Sequence, residues 1–199
     1  QMLSKEEIGM YYLMLTIGSL VSLFDFGFVP QFGRNITYVL SGAQKLKKEG
    51  IYETEESGNQ INTRLLVNMI YTARFVYKRI SLLVLVIMLS LGTLYIYKVT
   101  NGFINVHNSF SIWVVYSVSI FFNIYYTYYS SLLIGKGMIM ESKKAMVYSK
   151  IVYLILNISL LYLGFGLISV AIANLLAPFM ERYISHHYFF TKEFNYQMS

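Results

Sequence analysis

The residues best suited to chemistry are an acid and a base near the end of the first long apolar run. From Gly9 to Phe32 the only charged side chain is Asp25, and Arg34 follows directly after the run. A run of this length can cross the roughly 30 Å hydrocarbon core of a bilayer. Because a carboxylate at such a depth is costly unless it faces a partner or a wet cavity, we predict that Asp25 faces the interior of a helix bundle. The sequence is compatible with a functional role for Asp25 and with a purely structural polar contact.

Arg34 and Asn35 stand where this helix is weakened by two glycines and a proline, namely Gly27, Pro30 and Gly33. Broken, charged helix ends are a common way for transporters to form binding sites inside a membrane. Asp25 and Arg34 would lie about 13 Å apart along an unbroken helix and on opposite faces, so they would not pair directly. A guanidinium fork suits phosphate or pyrophosphate, and the alternative for Arg34 is a snorkelling anchor at the membrane surface.

A second candidate site is a polar stripe on the third apolar run. Its members follow one another at spacings of three or four residues: Tyr116, Ser119, Asn123, Thr127 and Ser130. This spacing places them on one face of a helix. In lipid such a face must meet another helix or water, so the stripe either lines a cavity or forms hydrogen bonds between helices.

Long apolar segments must position these residues. The chain is 56% hydrophobic and 13% charged, whereas an ordinary soluble domain carries about 25% charge. Five segments are predicted to be membrane spans, with approximate bounds 9–32, 80–97, 110–134, 147–163 and 167–184. We therefore predict an all-α polytopic membrane helix bundle, with residues 1–199 in a single transmembrane domain.

Residues 60–79 are predicted to form an amphipathic helix, because apolar residues recur at three and four while the cations stand mainly off that stripe. This helix would either lie along anionic headgroups before turning into the second span, or pack on its own protein.

The last two predicted spans form a tight hairpin, since only residues 164–166 separate them. Ser169, Ala173 and Ala177 make a small-residue face that lets two helices approach closely. Pro178 removes a backbone donor, so the carbonyl of Asn174 needs another partner.

The distribution of basic residues predicts the orientation. Fourteen of the sixteen Lys and Arg fall in the segments 34–79, 136–150 and 182–192, and only Lys5 and Lys98 fall on the other side. The basic segments are therefore expected to be cytoplasmic, with the N-terminus and the loops near Asn101 and Gly164 outside. An odd number of spans, and a start at Gln1 without an initiator Met, indicate a fragment that lacks at least one upstream span.

Several function classes are not expected. The chain contains no cysteine, which excludes disulfides, thiolate metal sites and thiol catalysis. We find no catalytic or metal-ligand constellation and predict neither an enzyme nor a cofactor. The net charge of +6 lies beside predicted spans, so it indicates a membrane topology and not a nucleic-acid partner.

Six short motifs carry a family resemblance: Glu7-Ile-Gly-Met-Tyr-Tyr12, Leu23-Phe-Asp-Phe-Gly27, Arg34-Asn-Ile-Thr-Tyr38, Ser41-Gly-Ala43, Leu133-Ile-Gly-Lys-Gly137 and Gly164-Phe-Gly-Leu-Ile-Ser-Val-Ala171. They resemble motifs of the polysaccharide repeat-unit flippases, the O-antigen and capsule exporters of the multidrug/oligosaccharidyl-lipid/polysaccharide exporter superfamily. The resemblance runs over nearly the whole chain.

The resemblance implies that the chain covers about helices two to six, in the N-terminal lobe of a bundle of twelve or more. It implies transport of an undecaprenyl-pyrophosphate-linked oligosaccharide across the bacterial cytoplasmic membrane by alternating access. The expected partners are that lipid-linked substrate, membrane lipids, and a proton or sodium ion whose coupling could use Asp25. The polar stripe would suit sugar hydroxyls.

Two alternatives stay open. A drug/cation antiporter of the same superfamily shares the fold. A membrane glycan polymerase or ligase would be an enzyme with Arg- or His-rich outer loops, and the outer loops here are short and nearly neutral.

Overall fold

The computed structural model describes residues 3–21, 23, 27–43, 45, 61–102, 104 and 106–190. Within them the chain is all-α, as predicted. The helices are α1 (Lys5–Val21), α2 (Phe28–Leu40), α3 (Thr63–Ile87), a π-helical segment (Met88–Gly92), α4 (Thr93–Val99), α5 (Ser109–Tyr126), α6 (Tyr128–Gly135), α7 (Ile139–Tyr162) and α8 (Ile168–Phe189). Asp25 lies outside the described residues.

Three helical stretches of the described chain are long and apolar enough to cross a membrane. They are Thr63–Val99, Ser109–Gly135 and Ile139–Tyr162, and they overlap the second, third and fourth predicted spans. The helix α8, which corresponds to the fifth, is 22 residues long and carries Glu181 and Arg182 in its second half.

The first predicted span is not one helix. The helix α1 ends at Val21 and α2 begins at Phe28. Gly27 precedes α2 with φ of 74°, which is a left-handed conformation that glycine adopts without steric cost. Pro30 lies in the first turn of α2, where its missing N–H leaves no intrahelical hydrogen bond unmade. The sequence predicted that the glycine and the proline weaken a single helix. In the structure they lie at the start of a second helix.

The amphipathic segment and the second predicted span form one helix. The helical stretch from Thr63 to Val99 holds 37 residues, which corresponds to about 55 Å. The helix continues past Arg79 without a turn. A helix lying along the lipid headgroups would have turned there before entering the second span. Its apolar side is buried against the protein at Leu66, Met69 and Ala73, as the packing alternative predicted.

Two hydrophobic cores hold the bundle together, one toward each end. The first core joins α1, α4, the first half of α5 and the start of α8 around Trp113. The second joins α2, the start of α3, α6 and the end of α8 around Tyr77. Glu7 of α1 accepts a hydrogen bond from the backbone N–H of Leu167, at 3.2 Å. The N-terminus of α1 and the turn between α7 and α8 therefore share one end of the bundle.

Candidate functional site

The polar stripe of α5 forms hydrogen bonds to three other helices. At one end the hydroxyl of Tyr116 donates to the carbonyl of Met14 in α1, at 2.7 Å. At the other end Ser130, in α6, shares a hydrogen bond of 3.0 Å with Ser142 in α7. Both contacts cross between helices, so the ends of the stripe are engaged by the protein itself.

The middle of the stripe meets α8 one turn before Pro178. Pro178 leaves the carbonyl of Asn174 without its helical donor. The amide of Asn123 donates to this carbonyl at 3.4 Å and to the carbonyl of Ser119 at 2.9 Å. In return, the amide of Asn174 donates to the Ser119 hydroxyl at 3.1 Å. The carbonyl freed by the proline therefore has the partner that the sequence required.

Thr127 adds only a local bond, since its hydroxyl donates to the carbonyl of Asn123 at 2.9 Å. The described contacts of the stripe thus favour interhelical hydrogen bonding over the lining of an open cavity. Whether the same residues also meet a substrate stays a prediction.

The contact between α7 and α8 matches the predicted small-residue face. Ser169, Ala173 and Ala177 are all buried. Ser169 donates to the side chain of Asn157 at 3.0 Å, and Ser149 donates to the carbonyl of Ala177 at 2.8 Å. Two polar contacts therefore fix the pair of helices along its length.

Arg34 and Asn35 lie on α2. Arg34 is exposed and donates to the side chain of Gln31 at 2.9 Å. Asn35 is half-buried. One turn further, Thr37 donates to the carbonyl of Gly135 at 3.0 Å, which fixes α2 against α6. The surroundings of Arg34 are compatible with both the anchor and the anion-binding interpretation.

The structure brings together a group of residues that the sequence did not single out. Two arginines lie against the tyrosine run at the junction of α5 and α6. The Nε–H of Arg74 in α3 donates to the hydroxyl of Tyr125 at 2.9 Å. Arg182 in α8 donates to the hydroxyl of Tyr126 at 3.3 Å, and its guanidinium carbon lies 5.2 Å from the centre of that ring. We call this surface the arginine–tyrosine groove.

The arginine–tyrosine groove consists of two adjoining recesses that share a wall. A recess of about 310 Å³ on the α3 side includes Arg74, Tyr128 and Tyr129 in its lining. A recess of about 480 Å³ on the α8 side includes Arg182. His186 and Phe190 line both, so the two recesses meet at these two side chains.

The chemistry of this groove favours an anionic ligand with flat apolar faces. A guanidinium carries five N–H donors, which is more than the tyrosine hydroxyls beside Arg74 and Arg182 take up. Both arginines are exposed, and none of the described residues that line the two recesses is an acid. The rings of Tyr128 and Tyr129 stack on each other at 4.3 Å between centroids and are buried. The exposed tyrosines of the two linings are Tyr71 and Tyr183, and each offers a ring face and a hydroxyl group.

Lys136 closes the same end of the bundle. Its ammonium donates to the carbonyl of Phe189 at 2.8 Å and lies 5.5 Å from the centre of that ring. Partial burial lowers the pKa of Lys136 from its ordinary value, because desolvation disfavours the charged form. Lys136 therefore stabilises the C-terminal end of α8.

The arginine–tyrosine groove escaped notice in the sequence because its parts come from three distant segments. Arg74 belongs to a stretch with helical amphipathicity, and Arg182 stands in the basic segment beside the last predicted span. The available signal was the run Tyr125-Tyr-Thr-Tyr-Tyr129, since four tyrosines in five residues cannot all face lipid from one helix.

Comparison with known proteins identifies no relative. No protein-family model matches the chain, and no curated protein or solved structure is significantly similar to it. Function must therefore be inferred from the groove, the membrane helices and the sequence motifs.

Proposed function

We propose that the chain forms part of a transporter that moves an undecaprenyl-pyrophosphate-linked oligosaccharide across the bacterial cytoplasmic membrane by alternating access. The observation that carries the proposal is the arginine–tyrosine groove, in which two guanidinium groups lie on a tyrosine wall next to helices able to span a membrane. The motif resemblance to the repeat-unit flippases supports the same assignment.

The groove has the chemistry that such a substrate requires. Arginine binds phosphate oxygens through paired N–H donors, and each of the two recesses offers one exposed guanidinium, that of Arg74 or that of Arg182. The exposed rings and hydroxyls of Tyr71 and Tyr183, one in each recess, can contact the apolar faces and hydroxyl groups of sugars. The lipid tail stays in the bilayer, while a charged headgroup needs a polar route because even one charge in hydrocarbon costs several kcal/mol.

The position of the groove agrees with loading from the cytoplasm. Arg74 lies in the basic segment 34–79, and Arg182 begins the basic segment 182–192. Both segments are predicted to be cytoplasmic. The substrate would therefore enter where the lipid-linked repeat unit is assembled.

The two alternatives are less well supported. A drug/cation antiporter needs acidic groups for its cationic substrate, whereas two arginines in the described groove repel a cation. A glycan polymerase or ligase needs a reactive outer surface, and the described part of the loop between α4 and α5 contributes one exposed histidine, His107.

The test replaces both groove arginines in the full-length protein. Arg74→Ala with Arg182→Ala should lower translocation of a fluorescent lipid-linked oligosaccharide in proteoliposomes at least tenfold, because losing one charge-assisted contact costs about 1.5–3 kcal/mol. The double lysine variant should keep part of the activity. Arg64→Ala, which removes an exposed cation of α3 outside the groove, is the matched control. Normal translocation by the double alanine variant would remove the basis of the proposal.

Coupling to a proton or sodium gradient is proposed for Asp25. Asp25→Asn keeps the side-chain shape but fixes its charge at zero. We expect this variant to insert at normal levels and to lose glycan export, while Asp25→Glu retains part of it. Normal export by Asp25→Asn would exclude coupling, and degradation of the variant would indicate a structural role.

A further inference from the structure

His186 lies where the two recesses of the arginine–tyrosine groove meet. It lines the recess on the α3 side together with Arg74, and the recess on the α8 side together with Arg182. Among the described lining residues only Phe190 also belongs to both recesses, and the phenyl ring carries no polar atom. His186 is therefore the polar side chain of the described groove that a ligand in either recess can reach.

The position of His186 follows from the helix α8 and from two aromatic neighbours. Arg182 precedes it by four residues, so the two side chains lie on the same face of the helix with Cβ atoms about 5–6 Å apart. The imidazole centroid lies 6.2 Å from the ring of Tyr129 and 4.7 Å from that of Phe190. Within the described part of the chain, neither ring nitrogen of His186 has a hydrogen-bond partner. The ring is thus held by its neighbours while its polar atoms are available to a ligand.

The chemistry of an imidazole differs from that of the two arginines because its charge can change. Histidine is the side chain whose charge changes between about pH 5 and 8. The neutral ring has one N–H donor, whereas the imidazolium has two donors and a positive charge. His186 is exposed and lies past the last predicted span, so it can exchange its proton with water. A protonated His186 would be a third cation in the groove.

The described groups that face His186 do not include an acid. Those on α3, α6 and α8 that can titrate or carry a charge are Tyr71, Arg74, Tyr128, Tyr129, Arg182, Tyr183 and His187. None of these groups can stabilise an imidazolium as a carboxylate would. A phosphate group bound between an arginine and His186 can do so, because an opposite charge favours the charged form of a titrating group.

The charged residues of α7 lie against the other side of α8. Ser149 of α7 donates to the carbonyl of Ala177 at 2.8 Å. His186 follows Ala177 by nine residues, which corresponds to two and a half helical turns and places it on the opposite face. Glu181 interacts with Lys143 and Lys150 of α7 and is absent from both described linings. An anion in the groove is therefore the partner that could stabilise a charged His186.

We propose that His186 is a ligand-binding residue of the arginine–tyrosine groove, and that it donates to a phosphate group of the ligand as an imidazolium, so that binding takes up a proton from water. This inference rests on the proposed function for the ligand class, a pyrophosphate diester with a sugar. It adds a contact whose strength depends on pH, which neither arginine can supply. By thermodynamic linkage, a lower pH strengthens ligand binding and the bound ligand strengthens proton binding.

The test measures ligand binding by the full-length protein in detergent, by equilibrium dialysis at about pH 5.5 and about pH 8, on either side of the range in which histidine changes charge. The probe is radiolabelled uridine diphosphate glucose, a soluble sugar linked through a pyrophosphate diester whose own charge stays constant over this range. We expect the dissociation constant of the wild type to be about fivefold lower at the lower pH, because one exposed charge pair is gained.

Two variants of His186 separate its charge from its shape. His186→Gln keeps a neutral hydrogen-bonding side chain, so it should bind the probe equally at both pH values, with the affinity that the wild type has at the higher pH. His186→Lys carries a permanent charge at this position and should bind with the higher affinity at both. A merely structural role would weaken binding equally at both pH values and would not be rescued by lysine, and that result would overturn the inference.

Two other histidines provide matched controls. His187 is an exposed neighbour that lines only the α8 recess, and His107 is exposed in the loop between α4 and α5. His187→Gln and His107→Gln should both keep the pH dependence of the wild type. A pH dependence that survives His186→Gln, or that disappears with His187→Gln, would assign the proton to another group and overturn the inference.

The result for the wild type is decisive on its own. Binding of the probe that is equal at both pH values, or absent at both, would also overturn the inference. Because dialysis measures binding and not transport, its outcome is distinct from that of the proposed function. Proton-linked binding by a protein that translocates no lipid-linked oligosaccharide would contradict the proposed function and leave the role of His186 standing. Translocation together with pH-independent binding would contradict only the role of His186.

Discussion

Gly18 and Tyr116 should behave as one unit, because the small residue makes room for the hydroxyl that joins α1 to α5. A Cβ at Gly18 would overlap the hydroxyl oxygen of Tyr116, while the ring carbon Cζ would lie at an ordinary 3.6 Å. The hydroxyl donates to the carbonyl of Met14 at 2.7 Å. Removing the oxygen therefore removes both the hydrogen bond and the steric conflict.

The magnitudes follow from these contacts. Tyr116→Phe should lower the free energy of unfolding by about 1 kcal/mol, since the Met14 carbonyl is within a helix and keeps its backbone partner. Gly18→Ala costs about 1–3 kcal/mol by overpacking and recovers about 1 kcal/mol of helix propensity, so its net cost is also about 1 kcal/mol. In the double variant the overlap is absent, and the gain in propensity offsets the lost hydrogen bond. We expect a double variant of nearly native stability and a coupling energy of about 2 kcal/mol, within the range for residues in contact.

The assay is equilibrium unfolding of the full-length protein in detergent for the wild type, both single variants and the double variant. Gly9→Ala serves as the control, because nothing lies within 4 Å of a Cβ at that position of α1. If Gly18→Ala costs the same free energy with Tyr116 and with phenylalanine at position 116, the close contact between α1 and α5 is wrong. If Tyr116→Phe abolishes transport at native stability, Tyr116 meets the substrate as well.

Three further outcomes are expected. Asn123→Leu should destabilise the protein by about 1–3 kcal/mol, because it leaves the carbonyl freed by Pro178 without a donor; adding Pro178→Ala should recover part of this loss in the same unfolding assay. Gly92→Ala should lower the free energy of unfolding by about 1–3 kcal/mol by overpacking against the Trp113 ring, which would lie 2.6 Å from a Cβ at this position, and an unchanged melting curve would contradict the π-segment geometry. Single cysteines at Met140 and His107, both exposed, should be labelled from opposite sides of the membrane, with only the cysteine at 107 reached by an impermeant reagent in intact cells.

The sequence predicted those features that depend on neighbours along one helix. The missing N–H of Pro178 required another donor for the carbonyl of Asn174, and the structure supplies it from α5. The hairpin between α7 and α8 follows from two glycines at positive φ, 83° at Gly164 and 61° at Gly166. Both inferences need only local geometry and the rule that polar groups in lipid must be satisfied inside the protein.

Features that depend on contacts between distant segments could not be predicted in the same way. Nothing in residues 60–97 marks whether an amphipathic stretch and an apolar stretch join in a bend or in a straight helix. The helix is continuous, and its first half packs at Leu66 and Tyr77 into the core shared with α2 and α6, which is a tertiary contact. Gly27 predicted a weak point in the first long helix. The start of a separate helix at Phe28 depends on the packing of α2 against α6.

The polar groups of the stripe are satisfied by the protein, whereas the arginines of the arginine–tyrosine groove are exposed. This difference follows from where each group of residues lies. Inside a membrane, a polar side chain is stabilised by a partner on a neighbouring helix, and Tyr116, Asn123 and Ser130 have such partners. Groups already satisfied in this way hold helices in place and have little capacity left for a ligand. Arg74 and Arg182 instead stay exposed, with tyrosine hydroxyls that orient them without neutralising their charge. Binding of an anion is therefore expected at these arginines and not along the stripe, because their exposed guanidinium groups keep donors available.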